Sequence, residues 1–413
     1  MAQLVFVHLS DIHLGGYEAG ATFDEDEDLR VELERDVEAV TSAAGAADGI
    51  VLSGDIAGRG TVQEFDAAAA WITRLCEQLG VSEDGVYCVP GNHDVDWETW
   101  DTDPVLQALQ EQLLTCPVEE LRRRLERLLQ QGPHRGLLLS ALENYNGFAA
   151  RYGCDVTPGR HWWLQTATLG DLQVEIIGLT SSLLGGRTDT RDAATSRLAL
   201  GPIKVLRRRD TFSMIICHHP LSWLRDRERL KHQIERAHLQ LFGHDHAHEL
   251  GLAGTGVRVH AGAVHPARDS GEAWEPSYNV IRVIRTESAP TVTVNVWPRR
   301  AFPNGRFGPL DEEEPRRTFV LPVDLGRETL DNPDSNQDEV ISEPSRPSLP
   351  LEREVARAYA ALPVDTRLAT ADRLGLIDPD AHDFEPRVRS RLAFRRAVDL
   401  NRLNELREAL NAR

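Results

Sequence analysis

The sequence predicts an α/β layer fold with a helical insertion and a separate helical C-terminal domain. Three observations carry that expectation. Short apolar runs of strand length alternate with amphipathic helical patterns through the first hundred residues. A leucine-spaced helical stretch then breaks the rhythm before strands resume. A segment rich in Pro, Ser, Asp, Asn and Glu, residues 326–350, separates the strand-rich part from residues 351–413 and reads as a linker.

The elements follow in order. Leu4 to Leu9 is a strand, and a helical pattern runs from about Leu29 to Ala44. The acidic run Asp24-Glu25-Asp26-Glu27-Asp28 reads as the solvated start of that helix, where carboxylates favour the dipole. Ile50 to Leu52 and Val86 to Val89 are further strands. Between them Thr61 and Glu64 form a capping box ahead of Phe65, Ala69, Ile72 and Leu75. Residues 95–152 form the insertion. There Pro117 sits at a first helical turn, and Leu121, Leu125, Leu128 and Leu129 share one face. Arg122, Arg123, Arg124 and Arg127 interleave with Glu119, Glu120 and Glu126, the pattern of a salt-bridged exposed face. Trp162 to Leu179 is a hairpin about Gly170-Asp171. Ser213 to Cys217, Leu239 to Phe242, Val257 to Val264, Tyr278 to Ile284 and Thr291 to Trp297 complete the strands. The expected domains are therefore 1–325, with the insertion at about 95–152, and 351–413.

Composition excludes several classes. The 413 residues carry 46 Lys and Arg against 65 Asp and Glu, a net charge of −19. Proteins that coat nucleic acid carry the opposite balance. Residues 351–413 hold 12 arginines against 11 acids, so the negative charge belongs to the preceding part. No apolar run approaches the roughly 18 residues needed to span a bilayer. The start MAQLVFVHLSDIH lacks a basic n-region, so no secretory signal is expected. Cys76, Cys88, Cys116, Cys154 and Cys217 are odd in number and contain no CxxC pair. That disfavours a disulfide framework or thiolate zinc site and fits a reducing cytoplasm.

Five blocks carry the chemistry: Asp11-Ile12-His13, Gly54-Asp55, Gly91-Asn92-His93-Asp94, His218-His219-Pro220 and Gly243-His244-Asp245-His246. Each follows an apolar run. In open α/β sheets the carboxyl ends of strands form the binding crevice, so these blocks would converge there. Their donors are imidazoles, carboxylates and one amide oxygen. That set suits Mn²⁺, Fe, Zn²⁺ or Mg²⁺ and argues against copper or iron–sulfur chemistry. The donors are too many for one tetrahedral ion. A carboxylate-bridged pair, roughly 3.5–4 Å apart, would use them all.

In this order the blocks resemble the calcineurin-like metallophosphoesterase superfamily, over roughly residues 5–300. The resemblance implies a four-layer α-β-β-α sandwich holding two divalent ions, with Mn²⁺ the first choice. It implies Asp11, His13 and His246 on the first ion, Asn92, His218 and His244 on the second, and Asp55 bridging them. It further implies a metal-bridging hydroxide as nucleophile and His93 as the residue that stabilises or protonates the leaving oxygen. His219 would then act behind the ligands or orient the Pro220 turn, and Asp94 would orient its loop. His248, His260 and His265 are nearby but off-pattern. Trp223, Arg268 and Trp274 flank the later blocks and are the candidates for substrate stacking or phosphate contact. The insertion is placed to cap the cleft.

The second block reads GDIAGRG, without the acid that protein phosphatases of this class carry in GDxxDRG. GDIAGRGTVQEF and CVPGNHDVD resemble the bacterial cyclic-nucleotide phosphodiesterases, and DIHLG also resembles the repair nucleases. The expected activity is phosphodiester hydrolysis, on nucleotides or on DNA or RNA with a partner. The contrasting expectation is a metal-stabilised scaffold with vestigial activity. Residues 351–413 loosely resemble the helical effector-associated adaptor domains of bacterial conflict systems. That implies a protein partner or self-association through this end and a defence or stress role. No membrane partner is expected.

Overall fold

The computed structural model describes residues 1–15, 26–130, 136–185, 196–265, 275–287 and 289–325. Towards the C-terminus it describes 355, 358–359, 362, 364–377, 389–390, 393–394, 396–397 and 400–411. The chain divides into two compact units, Met1–Asp324 and Leu325–Arg413.

The first unit is built on two mixed sheets. One has the order β12-β11-β10-β1-β2-β3, with β13 also on β11. It comprises β1 (Ala2–Leu9), β2 (Gly49–Leu52), β3 (Val86–Cys88), β10 (Ser277–Arg285), β11 (Thr291–Ala301), β12 (Phe307–Pro309) and β13 (Arg317–Pro322). The other has the order β4-β5-β6-β7-β9-β8. Its strands are β4 (Trp162–Leu169), β5 (Leu172–Leu179), β6 (Thr211–Cys217), β7 (Leu239–Phe242), β8 (Glu249–Ala253) and β9 (Gly256–His260). The middle of each sheet is parallel: β1 with β2 and β3, and β5 with β6, β7 and β9. Parallel order aligns the carboxyl ends of successive strands, which is where the five blocks sit.

Helices α1 (Glu27–Ala44) and α2 (Val62–Leu79) connect the parallel strands of the first sheet. The Thr61 hydroxyl accepts the Glu64 N–H and the Glu64 carboxylate accepts the Thr61 N–H, so the capping box forms. The sheets face each other at β3 and β4: the Trp163 indole stacks near Tyr87 and donates to the Cys88 carbonyl at 3.2 Å. On the second sheet, α7 (Arg227–Ile234) sets Leu230 and Ile234 into a core with Ile177, Leu179, Ile215 and Phe242. The insertion consists of α3 (Trp97–Thr102), α4 (Pro104–Leu114), α5 (Val118–Gln130), a 3₁₀ turn (Leu137–Leu142) and α6 (Glu143–Ala149). Leu121, Leu125 and Leu129 are buried, and Arg124 pairs with Glu120 at 2.8 Å. No helix among the described residues is long and apolar enough to cross a membrane.

Two expectations are corrected. Strand β9 stops at His260 instead of reaching Val264. The chain turns there so that Val264 and His265 donate to the carbonyls of Ser10 and Asp11 beside the first block. Strands β8 and β13 carry no readable alternation because they are largely exposed, Leu252 and Val320 among them. In the second unit, α8 (Val364–Arg373) and α9 (Leu403–Asn411) are helical. They belong to a small core of Val355, Tyr359, Ala371, Leu376, Leu403 and Leu406. The expected linker lies outside the described residues.

Candidate metal centre

Each block follows its strand directly: β1, β2, β3, β6 and β7 deliver them to one edge. Backbone bonds lace the loops together. Asp11 N–H donates to Gly54 O, Ile12 and His13 N–H to Asp55 O, and Gly243 N–H to His218 O. The Asp94 carboxylate is the central staple. It accepts N–H bonds from Ile56, Ala57 and Gly91 at 2.8–2.9 Å. Burial first, and Asp55 second, push its pKa up to about 7. A side chain at Gly91 would collide with the Asp55 carboxylate, which is why a glycine opens the third block.

The loops are strained. Among the described residues, seven non-glycine residues have positive φ, and five of them are Asp11, His13, Asp55, His244 and His246. Such conformations cost of order 1 kcal/mol or more each and persist where the surroundings impose them.

Four groups of side chains bring possible ligand atoms within 4.8 Å of one another: Asp11, His13 and His246; His13, Asp55 and His93; Asp11, Asp55 and His218; and His218, His219 and His244. Asp55 Oδ2 lies 3.5 Å from His13 Nε2 and 3.1 Å from His218 Nε2. Asp11 Oδ1 lies 3.2 Å from His246 Nε2. Yet Asp11 Oδ1, His13 Nδ1 and His218 Nε2 are buried without a geometrically sound hydrogen bond. His13 Nε2 still meets Asp55 Oδ2 at hydrogen-bond range, but the Asp11–His246 and Asp55–His218 contacts are close without mutual hydrogen bonding, as in ligands of a common ion. Leaving such atoms bare costs roughly 1–3 kcal/mol each. The donor set, the strain and these bare atoms together fit a divalent cation.

Tautomers follow from the backbone. His218 Nδ1 faces the Ser53 carbonyl at 2.8 Å and therefore carries the proton, which leaves Nε2 as the coordinating nitrogen. His93 Nδ1 faces the Gly58 carbonyl at 2.8 Å, which leaves Nε2 for a reacting group. His93 N–H donates to Asp55 Oδ1 at 2.8 Å, so one loop fixes both side chains. His219 Nε2 reaches Asn92 Oδ1 at 2.9 Å and Nδ1 meets the Ser181 hydroxyl at 2.7 Å. That ring orients Asn92.

Burial opposes charge throughout, and neighbouring charges outweigh it at His218 and Asp55. His218 is pushed up to about 10 because Asp55 and Asp11 outweigh its burial. His218 and His93 in turn hold Asp55 well below the usual carboxylate range, against burial. Burial and the neighbouring His218 push His244 down to about 4. His218 thus faces two buried carboxylates, Asp55 and Asp11, with ligand atoms all within 4.8 Å.

Of the remaining residues, Trp223 sits edge-on to His244 at 4.2 Å between ring centres and donates to Asp245 Oδ1 at 2.8 Å. It therefore walls the second donor group. His248 faces Asn279 Oδ1, His260 lies 3.7 Å from Asp245, and His265 donates to the Ile12 carbonyl. All three stand behind the ligand loops. Arg268 and Trp274 lie outside the described residues. Sequence reasoning passed over Trp97, whose ring packs 5.2 Å from that of His93, and Arg59, next to Gly58. The Trp at position 97 reads only as the start of a helix.

The family model for calcineurin-like phosphoesterases matches residues 4–248. The chain belongs to that family. A search of curated proteins finds no match. Solved structures that the chain is similar to include a conserved protein of Streptococcus pneumoniae described as a predicted phosphoesterase, 14% identical. That match covers 78% of this chain and 99% of that one, with a TM-score of 0.30. Vps29 of Chaetomium thermophilum is 10% identical over 78% of this chain and 99% of its own, at 0.31. A putative 5′-nucleotidase of Staphylococcus aureus is 11% identical over 82% of this chain and 56% of its own, at 0.33. The strand-end edge of the matched region offers nitrogen and oxygen donors that could hold metal.

Proposed function

We propose that this chain is a two-metal phosphodiesterase. The observation that carries the reading is the placement of His93. Its backbone fixes the central carboxylate Asp55, and its ring, anchored through Nδ1, keeps Nε2 for a leaving oxygen beside the donor groups. Asp11, His13 and His246 would hold one ion, and Asn92, His218 and His244 the other, with Asp55 between them. Two divalent ions there supply Lewis acidity to the phosphate and lower the pKa of water. Mn²⁺ suits this nitrogen and oxygen donor set.

The chain's own residues do the rest. Asp94 holds the second and third blocks in register. His219 keeps the Asn92 oxygen turned to the site. A doubly protonated His93, its Nδ1–H kept on the Gly58 carbonyl, would pass its Nε2 proton to the departing alkoxide and be left neutral. All five cysteines are buried and free, which supports work in a reducing cytoplasm. The helical C-terminal unit would recruit a partner or a second copy, as an effector in a defence or stress system.

The test is hydrolysis of bis-p-nitrophenyl phosphate with Mn²⁺, beside p-nitrophenyl phosphate, cyclic AMP and oligonucleotides. Asp55→Ala should lower diester turnover by about 10³-fold or more and reduce bound metal. Faster hydrolysis of the monoester would replace the reading with a monoesterase. No turnover with two ions bound would favour a scaffold.

A further inference from the structure

The fourth and fifth blocks are joined twice beside the second donor group. The Gly243 N–H donates to the His218 carbonyl at 3.0 Å. The Trp223 indole N–H donates to Asp245 Oδ1 at 2.8 Å. Trp223 ends the 3₁₀ turn Leu221–Trp223, which follows His218-His219-Pro220 directly, and Asp245 stands between His244 and His246. The side-chain bond therefore staples the loop that carries His218 to the loop that carries His244.

One indole makes both contacts that fix this loop. Its N–H holds Asp245, and its edge meets the His244 ring at 4.2 Å between centres and 88° between planes. The rings of His218 and His219 lie against the same imidazole at 5.2 and 4.3 Å. His218 and His93 are turned by backbone carbonyls, whereas His244 is packed among rings. His244 and His246 both take left-handed conformations, at φ +70° and +51°. Such conformations persist where the surroundings impose them. Asp245 lies between the two strained residues, with Oδ1 on Trp223 and Oδ2 facing His260 Nδ1 at 3.7 Å.

Trp223 is anchored away from the donors. Its carbonyl accepts the Ser196 hydroxyl at 2.6 Å, its N–H donates to the Pro220 carbonyl at 3.0 Å, and its ring packs against the core of the second sheet. Two residues on, the Arg225 guanidinium donates to the carbonyls of Leu113 and Cys116, at 3.3 and 2.7 Å, where α4 ends. The insertion thus braces the turn that carries Trp223. A support with anchors of its own can hold a strained loop in place.

We propose that Trp223 is a positioning residue, whose hydrogen bond to Asp245 holds the His244-Asp245-His246 loop and turns the His244 ring to the second ion. This rests on the two-metal reading and goes beyond its ligands. Calorimetric titration of the metal-free full chain with Mn²⁺ tests it. Trp223→Phe keeps a ring in the core and removes the N–H, and Asp245→Ala removes the acceptor. Each should weaken one of the two Mn²⁺ ions by about tenfold or more and leave the other within about threefold. Asp245→Asn keeps an oxygen for the indole and should stay within about threefold of the unaltered protein at both ions. Unchanged affinities in Trp223→Phe and Asp245→Ala overturn the assignment, and so does an Asp245→Asn as weak as Asp245→Ala. A merely structural role would lower the thermal midpoint of the metal-free protein without separating Asn from Ala at position 245. If Trp223→Phe does not fold, that pair of Asp245 variants still decides. Fewer than two ions on the unaltered protein would overturn both this assignment and the two-metal reading. Failure of the phosphodiesterase reading alone would show separately, as absent turnover of bis-p-nitrophenyl phosphate with two ions bound.

Discussion

The two sides of His93 are built on opposite principles. On the ligand side, Asp11, His13, Asp55, His244 and His246 take left-handed backbone conformations, and three buried polar atoms lack hydrogen bonds. On the other side, where Arg59, Thr61 and Trp97 line a cavity, the loop N–H groups of Arg59 and Thr61 and the first-turn groups of α3 are met by carboxylates. The first side is costly as bare protein and becomes favourable when a cation satisfies it. The second is complete as it stands and can hold its shape through a catalytic cycle. A metal site tolerates strain because coordination is strong.

The largest expected effect that separates the sides is metal removal. An ion held at about 100 times its Kd stabilises the fold by roughly 2.7 kcal/mol. Chelation with EDTA should therefore lower the thermal midpoint by several degrees, and Trp97→Leu should show the same drop. An unchanged midpoint on chelation would break the comparison, since the ligand side would then be stable without ions.

How much of this was legible in the sequence also divides along the same line. The five blocks could be read because coordination demands particular side chains immediately after strands. Asp11, His13, Asp55, Asn92, His218, His244 and His246 all stand at that edge. The cavity could not be read. Arg59 and Trp97 are 38 positions apart in unrelated local patterns, and their loops are brought together by the close approach of Gly60 to the Val95 carbonyl and by Asn144, which donates to both Gly60 O and Asp96 Oδ2. For His218 and His219 the resemblance implied an order of roles but could not supply their partners: the His218 ring faces Ser53, and the His219 ring faces Asn92 and Ser181. Strands β8 and β13 escaped for a simpler reason: at exposed edges nothing enforces apolar alternation.

Gly60→Ala sharpens the comparison from the cavity side. The added methyl meets backbone, which cannot swing away, and the residue must keep a left-handed φ. About 2 kcal/mol of stability should be lost, read from urea denaturation. Bound Mn²⁺ should stay at the level of the unaltered protein. A neutral substitution would mean that the walls can part freely.

The smallest effect concerns the proton that metal displaces. In the metal-free protein His218 is raised to about 10 by Asp55 and Asp11. A histidine raised in the folded state adds stability that is fully present below its unfolded value of about 6.5 and is lost as pH climbs to about 10. Mn²⁺ competes with that proton for the same nitrogen. Its affinity should then rise by up to about tenfold per pH unit, or about 1.4 kcal/mol, between those limits. Calorimetric titration at pH 7.5 in two buffers of different ionisation enthalpy should count close to one proton released through this residue, and His218→Asn should remove it. Metal binding without proton release would mean that His218 is neutral between its two carboxylates. The strain on the ligand side would then have to be relieved by some means other than a shared charge.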